Sequence, residues 1–398
     1  PVYKTPPAYL APPIRDPFPS LLETGKTPPI PSYNTPEPDL WKQYDRDVLT
    51  KPPPLLIGFT RSWPMLLQTV VSYITAGWPP EQIHVVENTG TQQANARGQL
   101  TLQNPFYLNH TTLAALGVNV IQTPVLMTFA QLQNFYLSLT YANDWPYYFW
   151  SHMDALVLSP EGGIEKQGVP RAGEKGYKSI YKLAVEELNR TMLEHEGKWS
   201  MRFFAYDALS LMNPRALEDV GGWDTLIPYY ITDCDLYTRF LMKGWTSKDV
   251  DIGIITDVST TLDDLGALYR DPKIVPAFTD PNPPPPEEEK KEKTKKRELA
   301  ERDGEEVDMS DPVAYWHRLR DVANNMFHYK HGNRGRNTWQ MGQHGGQNEP
   351  FYYPAAGLAQ GIEMLTDTGK AIYGRKWAKG DCDLIADGGL QFDDQWTV

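Results

Sequence analysis

Basic residues are in short supply in this chain. Lys and Arg number 38 against 50 Asp and Glu, a formal net charge of -12 over 398 residues. A protein that grips nucleic acid neutralises the phosphate backbone with concentrated Lys and Arg, so no nucleic-acid partner is expected. Any phosphate it binds is handled locally, by a metal or a few donors. Long apolar runs are also absent: no stretch reaches the roughly 18 residues of a membrane-spanning helix. Cysteine is scarce, with Cys234 and Cys382 the only two. That excludes a disulfide-built scaffold and leaves open either one bridge or two buried thiols.

What is present is a globular composition, 40% hydrophobic and 22% charged, rich in proline (35) and in aromatics (12%), which often hold flat or ring-shaped ligands. Fifteen of the prolines fall within residues 1–54. Such a segment forms neither long helices nor central strands, and reads as an arm or stem that wraps the domain or spaces it from an anchor. From residue 55 the pattern changes. Leu55 to Thr60 is a buried-strand run, Met65 to Ala76 has helical spacing, and Gln82 to Glu87 is a second strand. The alternation continues through Val118 to Ile121, a helix from Ala130 to Tyr141, and Tyr147 to Trp150. The expected fold is therefore α/β, with a mostly parallel sheet flanked by helices.

Residues 155–200 read as an insertion ending in a helix near Lys178 to Glu194, followed by a strand at Arg202 to Ala205 and helices at Pro214 to Val220 and Asp233 to Lys243. The expected divisions are an arm at 1–54, a catalytic domain at 55–262, a loop with a proline-rich charged segment at 263–312, and a C-terminal extension at 313–398 that packs on the catalytic domain. The extension contains a His-, Asn- and Gly-rich stretch, Asn324 to Gln347, and a helix around Leu358 to Tyr373.

Chemistry in a parallel α/β sheet collects at the carboxyl ends of the strands. Three places put polar groups there: Thr60 and Arg61, Glu87 and Asn88, and His152 with Asp154. The last pair follows an apolar strand, and imidazole and carboxylate two residues apart face one side of an extended chain and can share a divalent ion. The same residues can also simply cap a turn.

Further along stand Gly221-Gly-Trp-Asp224, Thr232-Asp-Cys-Asp-Leu236, Arg239 and Gly244-Trp245. Together with Thr60-Arg61, Val85-Val-Glu87, Asn134 and His152-Met-Asp154, in that chain order, they resemble the motifs of inverting, family-2-like glycosyltransferases with the GT-A fold, over roughly residues 55–260. The resemblance implies transfer of a hexosyl or N-acetylhexosaminyl group from a nucleotide-sugar donor to a glycan or other hydroxyl acceptor. It assigns donor contacts to Thr60, Arg61, Glu87, Asn134, His152 and Asp154, with Glu87 reading uracil or ribose and so favouring UDP. A Mn²⁺ or Mg²⁺ ion would sit on Asp154, with His152 and Asp257. Asp233 would be the general base, and Trp223, Asp224 and Asp235 would face the acceptor.

Elementary chemistry supports part of this. Inverting transfer needs one carboxylate beside the attacking hydroxyl, and the field at a helix start favours a carboxylate's charged form. Thr232 is expected as the helix N-cap with Asp235 at its third position, and Asp235 and Arg239 stand four apart as a helical ion pair, so Asp235 has a mainly structural role as well.

The sequence departs from the family at His152, where an Asp is usual, and at Thr232, where a Glu is usual. It lacks the Q-x-x-R-W of processive polymer synthases. A second Asp-Cys-Asp-Leu, at 381–384, is expected to form turns and caps. His317, His328, His331 and His344 are the histidines that could reach the site. Two other readings stand beside the transferase. A sugar nucleotidyltransferase would carry a longer glycine loop than Gly58-Phe-Thr-Arg61; a non-catalytic nucleotide-sugar or glycan-binding protein would explain His152 and Thr232. The sequons at Asn109 and Asn189 and the proline arm are compatible with a Golgi or other secretory lumen, with a membrane reached only through an anchor preceding residue 1.

Overall fold

A computed structural model of the protein describes residues 14–194, 197–279, 310–332, 345–350 and 355–397. The charged block at 280–309 and His344 lie outside these residues. The strands are β1 (Leu55–Phe59), β2 (Ile83–Glu87), β3 (Asn119–Gln122), β4 (Tyr148–Ser151), β5 (Ala155–Leu158), β6 (Trp199–Phe203), β7 (Leu209–Met212), β8 (Thr246–Asp249) and β9 (Ile254–Asp257). Seven of them form one sheet in the order β3-β2-β1-β4-β7-β6-β8, while β5 and β9 make a separate antiparallel pair. Only β7 runs against its neighbours in the main sheet. The mixed α/β architecture with a mostly parallel sheet is the one expected from the sequence.

The order of the strands positions the site. The chain steps outward from β1 through β2 to β3 and then returns to place β4 on the other side of β1. Because such crossovers are right-handed, reversing direction puts the connecting helices on opposite faces and opens a crevice between β1 and β4 at their carboxyl ends. The side chains of β1 follow suit. Leu55, Ile57 and Phe59 pack with the helix Trp63–Thr75, and Leu56 packs on the opposite face with Ala130, Leu132 and Tyr136 of the helix Phe129–Asn143. Gly58 lies where that second helix comes closest: a Cβ there would stand 2.5 Å from Tyr136 Oη and 2.7 Å from Leu132 Cδ2.

The proline-rich arm, from residue 14 on, lies against the domain. Asp16 accepts from Trp63 Nε1 at 3.0 Å, and Tyr33 and Asn34 reach the buried Glu161, which also pairs with Arg270. The expected insertion at 155–200 instead contributes β5, the helix Ile180–Leu193 and the start of β6.

The largest difference from the sequence reading lies at the C-terminal side. A helix that the sequence reading did not assign runs from Pro312 to His331, into the His-, Asn- and Gly-rich stretch. Asp311 caps it by accepting from Val313 and Ala314, and Pro312 opens its first turn. Its buried residues, among them Tyr315, Leu319, Val322, Met326 and Tyr329, recur with helical period, and Trp316 Nε1 donates to Ser159 O at 3.0 Å. A second helix, Ala355–Trp377, buries Tyr373 and Trp377 in a small cluster with Ile227 and Leu384.

Cys234 and Cys382 are disulfide-bonded, 148 residues apart in sequence. Closing so long a loop removes entropy from the unfolded chain, a stabilisation of about 2–4 kcal/mol in the usual range. Thermal unfolding with and without dithiothreitol should show a lower Tm for the reduced protein. A Cys382→Ser variant should melt at that lower temperature and no longer respond to reductant.

Candidate active site

A cavity of about 830 Å³ opens where β1 and β4 end. One wall is apolar, with Met127, Phe129, Leu132, Tyr136 and Trp150, joined by Phe327 from the helix Pro312–His331 and Leu358 and Ile362 from the helix Ala355–Trp377. The polar wall holds Thr60, Arg61, Asn88, His152, Asp154, Asp207, Asp233, Asp257, Lys330 and His331. Six of the residues expected at the site from sequence thus line one cavity: Thr60, Arg61, His152, Asp154, Asp233 and Asp257.

Asp233 stands in the first turn of the helix Thr232–Met242. The cap is not the expected one. Ile231, in a left-handed conformation at φ 73°, is the N-cap and offers no side-chain bond, while Thr232 is the first helical residue. Asp233 Oδ2 accepts from Tyr206 Oη at 2.8 Å. Tyr206 belongs to the tight turn between β6 and β7, in which both Ala205 and Tyr206 have positive φ. Backbone strain of this kind gathers at functional sites.

The same turn carries Asp207, which sequence reasoning missed. Burial raises its carboxyl above the usual carboxylate range; nearby His152 opposes this and Asp233 adds to it. Tyr237 Oη donates to it at 3.4 Å, and His152 Nε2 lies 3.6 Å away. In the sequence Asp207 is the one charged residue of Phe204-Ala-Tyr-Asp-Ala208, with no motif to mark it.

Asp154 and Asp257 do come together, through the pairing of β5 with β9. Between them lies Lys330. Its ammonium is 2.7 Å from Asp154 Oδ2 and 2.9 Å from Asp257 Oδ2, and the side chain is 3% exposed. Burial alone would lower the lysine's pKa, but the two carboxylates outweigh it and hold it above the ordinary value. Burial likewise opposes ionisation of Asp257, yet Lys330 and His331 hold its carboxyl below the usual range. His331 Nε2 meets Asp257 Oδ1 at 2.8 Å, so this histidine does reach the site; His317 and His328 do not line the cavity.

A divalent ion needs several oxygen or nitrogen ligands at about 2.0–2.2 Å. Here one oxygen of Asp154 and both oxygens of Asp257 face cationic or imidazole partners, and His152 Nδ1 is 3.9 Å from Asp154 Oδ1. Among the described residues no three His, Cys, Asp or Glu side chains are grouped to hold a metal. The expected ligands Asp154, His152 and Asp257, as arranged, fit an ammonium rather than a metal ion.

Other sequence-based assignments separate from the cavity. Glu87 is fully buried behind it; its carboxylate accepts from Asn95 (2.8 Å) and Gln122 (2.9 Å) and meets His110 Nε2 (2.9 Å), and Asn88 lines the cavity instead. Asn134 bonds both the N–H and the C=O of Trp223 at 2.9 Å, fixing the turn after Gly222. Gly222 needs its positive φ of 73°, and a Cβ there would stand 2.8 Å from Asn134 Oδ1. Trp223 is itself buried, edge-on to Phe129, and is not placed to stack on a ligand. Exposed aromatic rings at the cavity come from Tyr206 and Tyr230. Asp224 pairs with Lys376 at 2.8 Å and bonds Leu226 N. Asp235 is completely buried and bonded to Arg239, Lys376 and Trp377. Trp223, Asp224 and Asp235 therefore brace the site and do not line the cavity.

No protein-family model and no curated protein matches the chain. Among solved structures it is similar to a cytidylyltransferase from Leptospira borgpetersenii serovar Hardjo-bovis, at 11% identity over 50% of this chain and 75% of that one, with a TM-score of 0.28. It is also similar to a mannosyltransferase from Pyrobaculum calidifontis, in complex with GDP-Man and Mn²⁺, at 16% identity over 53% of this chain and 59% of that one, again with a TM-score of 0.28. Likeness at that level assigns no activity to this chain.

Glu87 offers a test of its structural role. Its burial favours the neutral form, but the hydrogen bonds from His110, Gln122 and Asn95 prevail and lower its pKa from the ordinary 4.5. The resulting stabilisation is present above the unfolded value and is lost as pH falls through the lower folded value. Glu87→Gln should cost about 1–3 kcal/mol near neutrality and lose less stability than wild type as the pH drops below 4.5. Urea unfolding as a function of pH measures both effects.

Proposed function

We propose that the chain is a glycosyltransferase that moves a sugar from a nucleoside diphosphate sugar to an acceptor hydroxyl with inversion. The observation that carries this reading is the convergence on one cavity of a helix-start carboxylate, Asp233, with an apolar shelf and two buried cations, Arg61 and Lys330. The cavity is large enough for a nucleotide sugar, and mostly apolar pockets with a few convergent polar groups are the usual form of such sites. Sequence order supports it as well: Thr60-Arg61, His152-Met-Asp154 and the Asp233 helix come together as the family resemblance implies.

In this mechanism the acceptor oxygen attacks the anomeric carbon from the side opposite the diphosphate. The new C–O bond forms as the bond to the diphosphate oxygen breaks and keeps its electron pair there; the acceptor proton passes to Asp233. Tyr206 fixes the carboxylate by donating to Oδ2, leaving Oδ1 for the proton. Arg61, 4% exposed and with Nη1 lacking a hydrogen-bond partner in the described structure, is suited to a phosphoryl oxygen. Tyr206 and Tyr230 place exposed aromatic side chains at the rim, where an acceptor sugar would enter.

The expectation of a UDP donor rested on Glu87, which does not line the cavity. Because the carboxylate of Glu87 is enclosed, the donor panel should include GDP- and dTDP-sugars. A secretory lumen is supported by the Cys234–Cys382 bond, since disulfides persist in oxidising compartments.

Asp233→Asn should lower kcat by about 10²–10⁴-fold, the usual range for loss of a general base, with little change in donor affinity. Tyr206→Phe should give a smaller loss. Release of nucleoside diphosphate from the donor panel in the presence of acceptor sugars is the assay. Wild-type rates in Asp233→Asn together with collapse in Asp207→Asn would move the base to Asp207.

A further inference from the structure

The place expected for a divalent ion is filled by a side chain of the protein itself. Lys330 Nζ bonds Asp154 Oδ2 and Asp257 Oδ2, one carboxylate at the end of the central strands and the other at the end of the small antiparallel pair. An ion bound by those two oxygens would have to expel the ammonium, leaving a lysine that is 3% exposed without its counter-charges. An ammonium has three N–H donors. Two are directed at the carboxylates, and the structure describes no partner for the third, while the residue lines the cavity. Arg61, also buried and lining the same cavity, has a guanidinium nitrogen without a hydrogen-bond partner in the described structure.

We infer that Lys330 is the built-in cation of this site, so that a nucleoside diphosphate is bound, and leaves, against Lys330 and Arg61 without a divalent metal. The inference rests on the nucleotide-sugar reading above and specifies how that site handles the diphosphate. Asp154 and Asp257 then act as positioning residues: they hold the ammonium at a fixed point, as they would have held an ion. As the sugar–oxygen bond breaks, the charge left on the diphosphate meets N–H donors that are already in place.

Isothermal titration of the full chain with UDP and with GDP, in EDTA and in Mn²⁺, tests this without requiring turnover. At least one nucleoside diphosphate should bind in EDTA with a Kd within about twofold of that in Mn²⁺. Lys330→Met should weaken it by about tenfold or more, the scale of a lost charge-assisted hydrogen bond, while the corresponding nucleoside without phosphates binds as to wild type. Lys330→Arg, which keeps the charge between the two carboxylates, should recover part of the affinity and guards against misfolding of the Met variant; circular dichroism checks both.

Binding that appears only with Mn²⁺ would overturn the role of Lys330 and leave the nucleotide-sugar reading standing. Unchanged diphosphate affinity in a folded Lys330→Met protein would do the same. Failure of both UDP and GDP to bind, with and without Mn²⁺, would overturn the two together.

Discussion

The surroundings of the cavity depend on one buried carboxylate, Asp235. Its oxygens meet Arg239, Lys376 and Trp377, which brings one residue from its own helix and two from the helix Ala355–Trp377 to a single point. Arg239 continues outward to the carbonyls of Val220 and Gly222, and Lys376 to Asp224. The glycine turn, the helix that carries Asp233 and the C-terminal helix are thus tied to one another through charge-assisted bonds in a region closed to solvent. Without Asp235, two buried cations would lose their shared counter-charge, a far larger penalty than a broken surface pair. This network accounts for the spacing Asp235, Arg239 and Gly221-Gly222 without any contact to a ligand.

The sheet was legible because parallel strands buried on both faces appear as continuous apolar runs, as in Leu55 to Phe59 and Tyr148 to Trp150. The cavity at their ends followed from the same topology, and with it Thr60, Arg61, His152 and Asp154. β8 escaped because its residues, Thr246 to Asp249, are exposed and carry no apolar pattern. The helix Pro312–His331 was masked by a composition rich in His and Asn, although its buried side chains keep helical period and Asp311-Pro312 marks its start.

Lys330 illustrates a deeper limit. Nothing local distinguishes it from a surface lysine, since the carboxylates that bury it lie 176 residues away at Asp154 and on β9 at Asp257. Motif order located the neighbourhood, but it could not separate residues that face the cavity from those that hold it. Asn134, Trp223, Asp224 and Asp235 fall in the second group. Their backbone bonds, ion pairs and burial are three-dimensional facts with no signature in spacing.

The two Asp-Cys-Asp-Leu segments show how context divides identical letters. At 233–236 the first Asp faces the cavity and the second is the hub of the brace. At 381–384 Asp381 bonds Asp383 N, and Asp383 bonds Ala386 N and Asp387 N, closing turns. The cysteines join the copies. A consequence concerns the order in which the protein comes into being. On the ribosome the sheet and its flanking helices emerge first and can fold as a unit. Lys330, Phe327, the Leu358 and Ile362 wall, Lys376 and Cys382 all come from its C-terminal side. The nascent protein therefore displays Asp154, Asp233 and Asp257 as an open, acidic trough, and gains the buried cation and the apolar wall only once residues 312–377 have emerged.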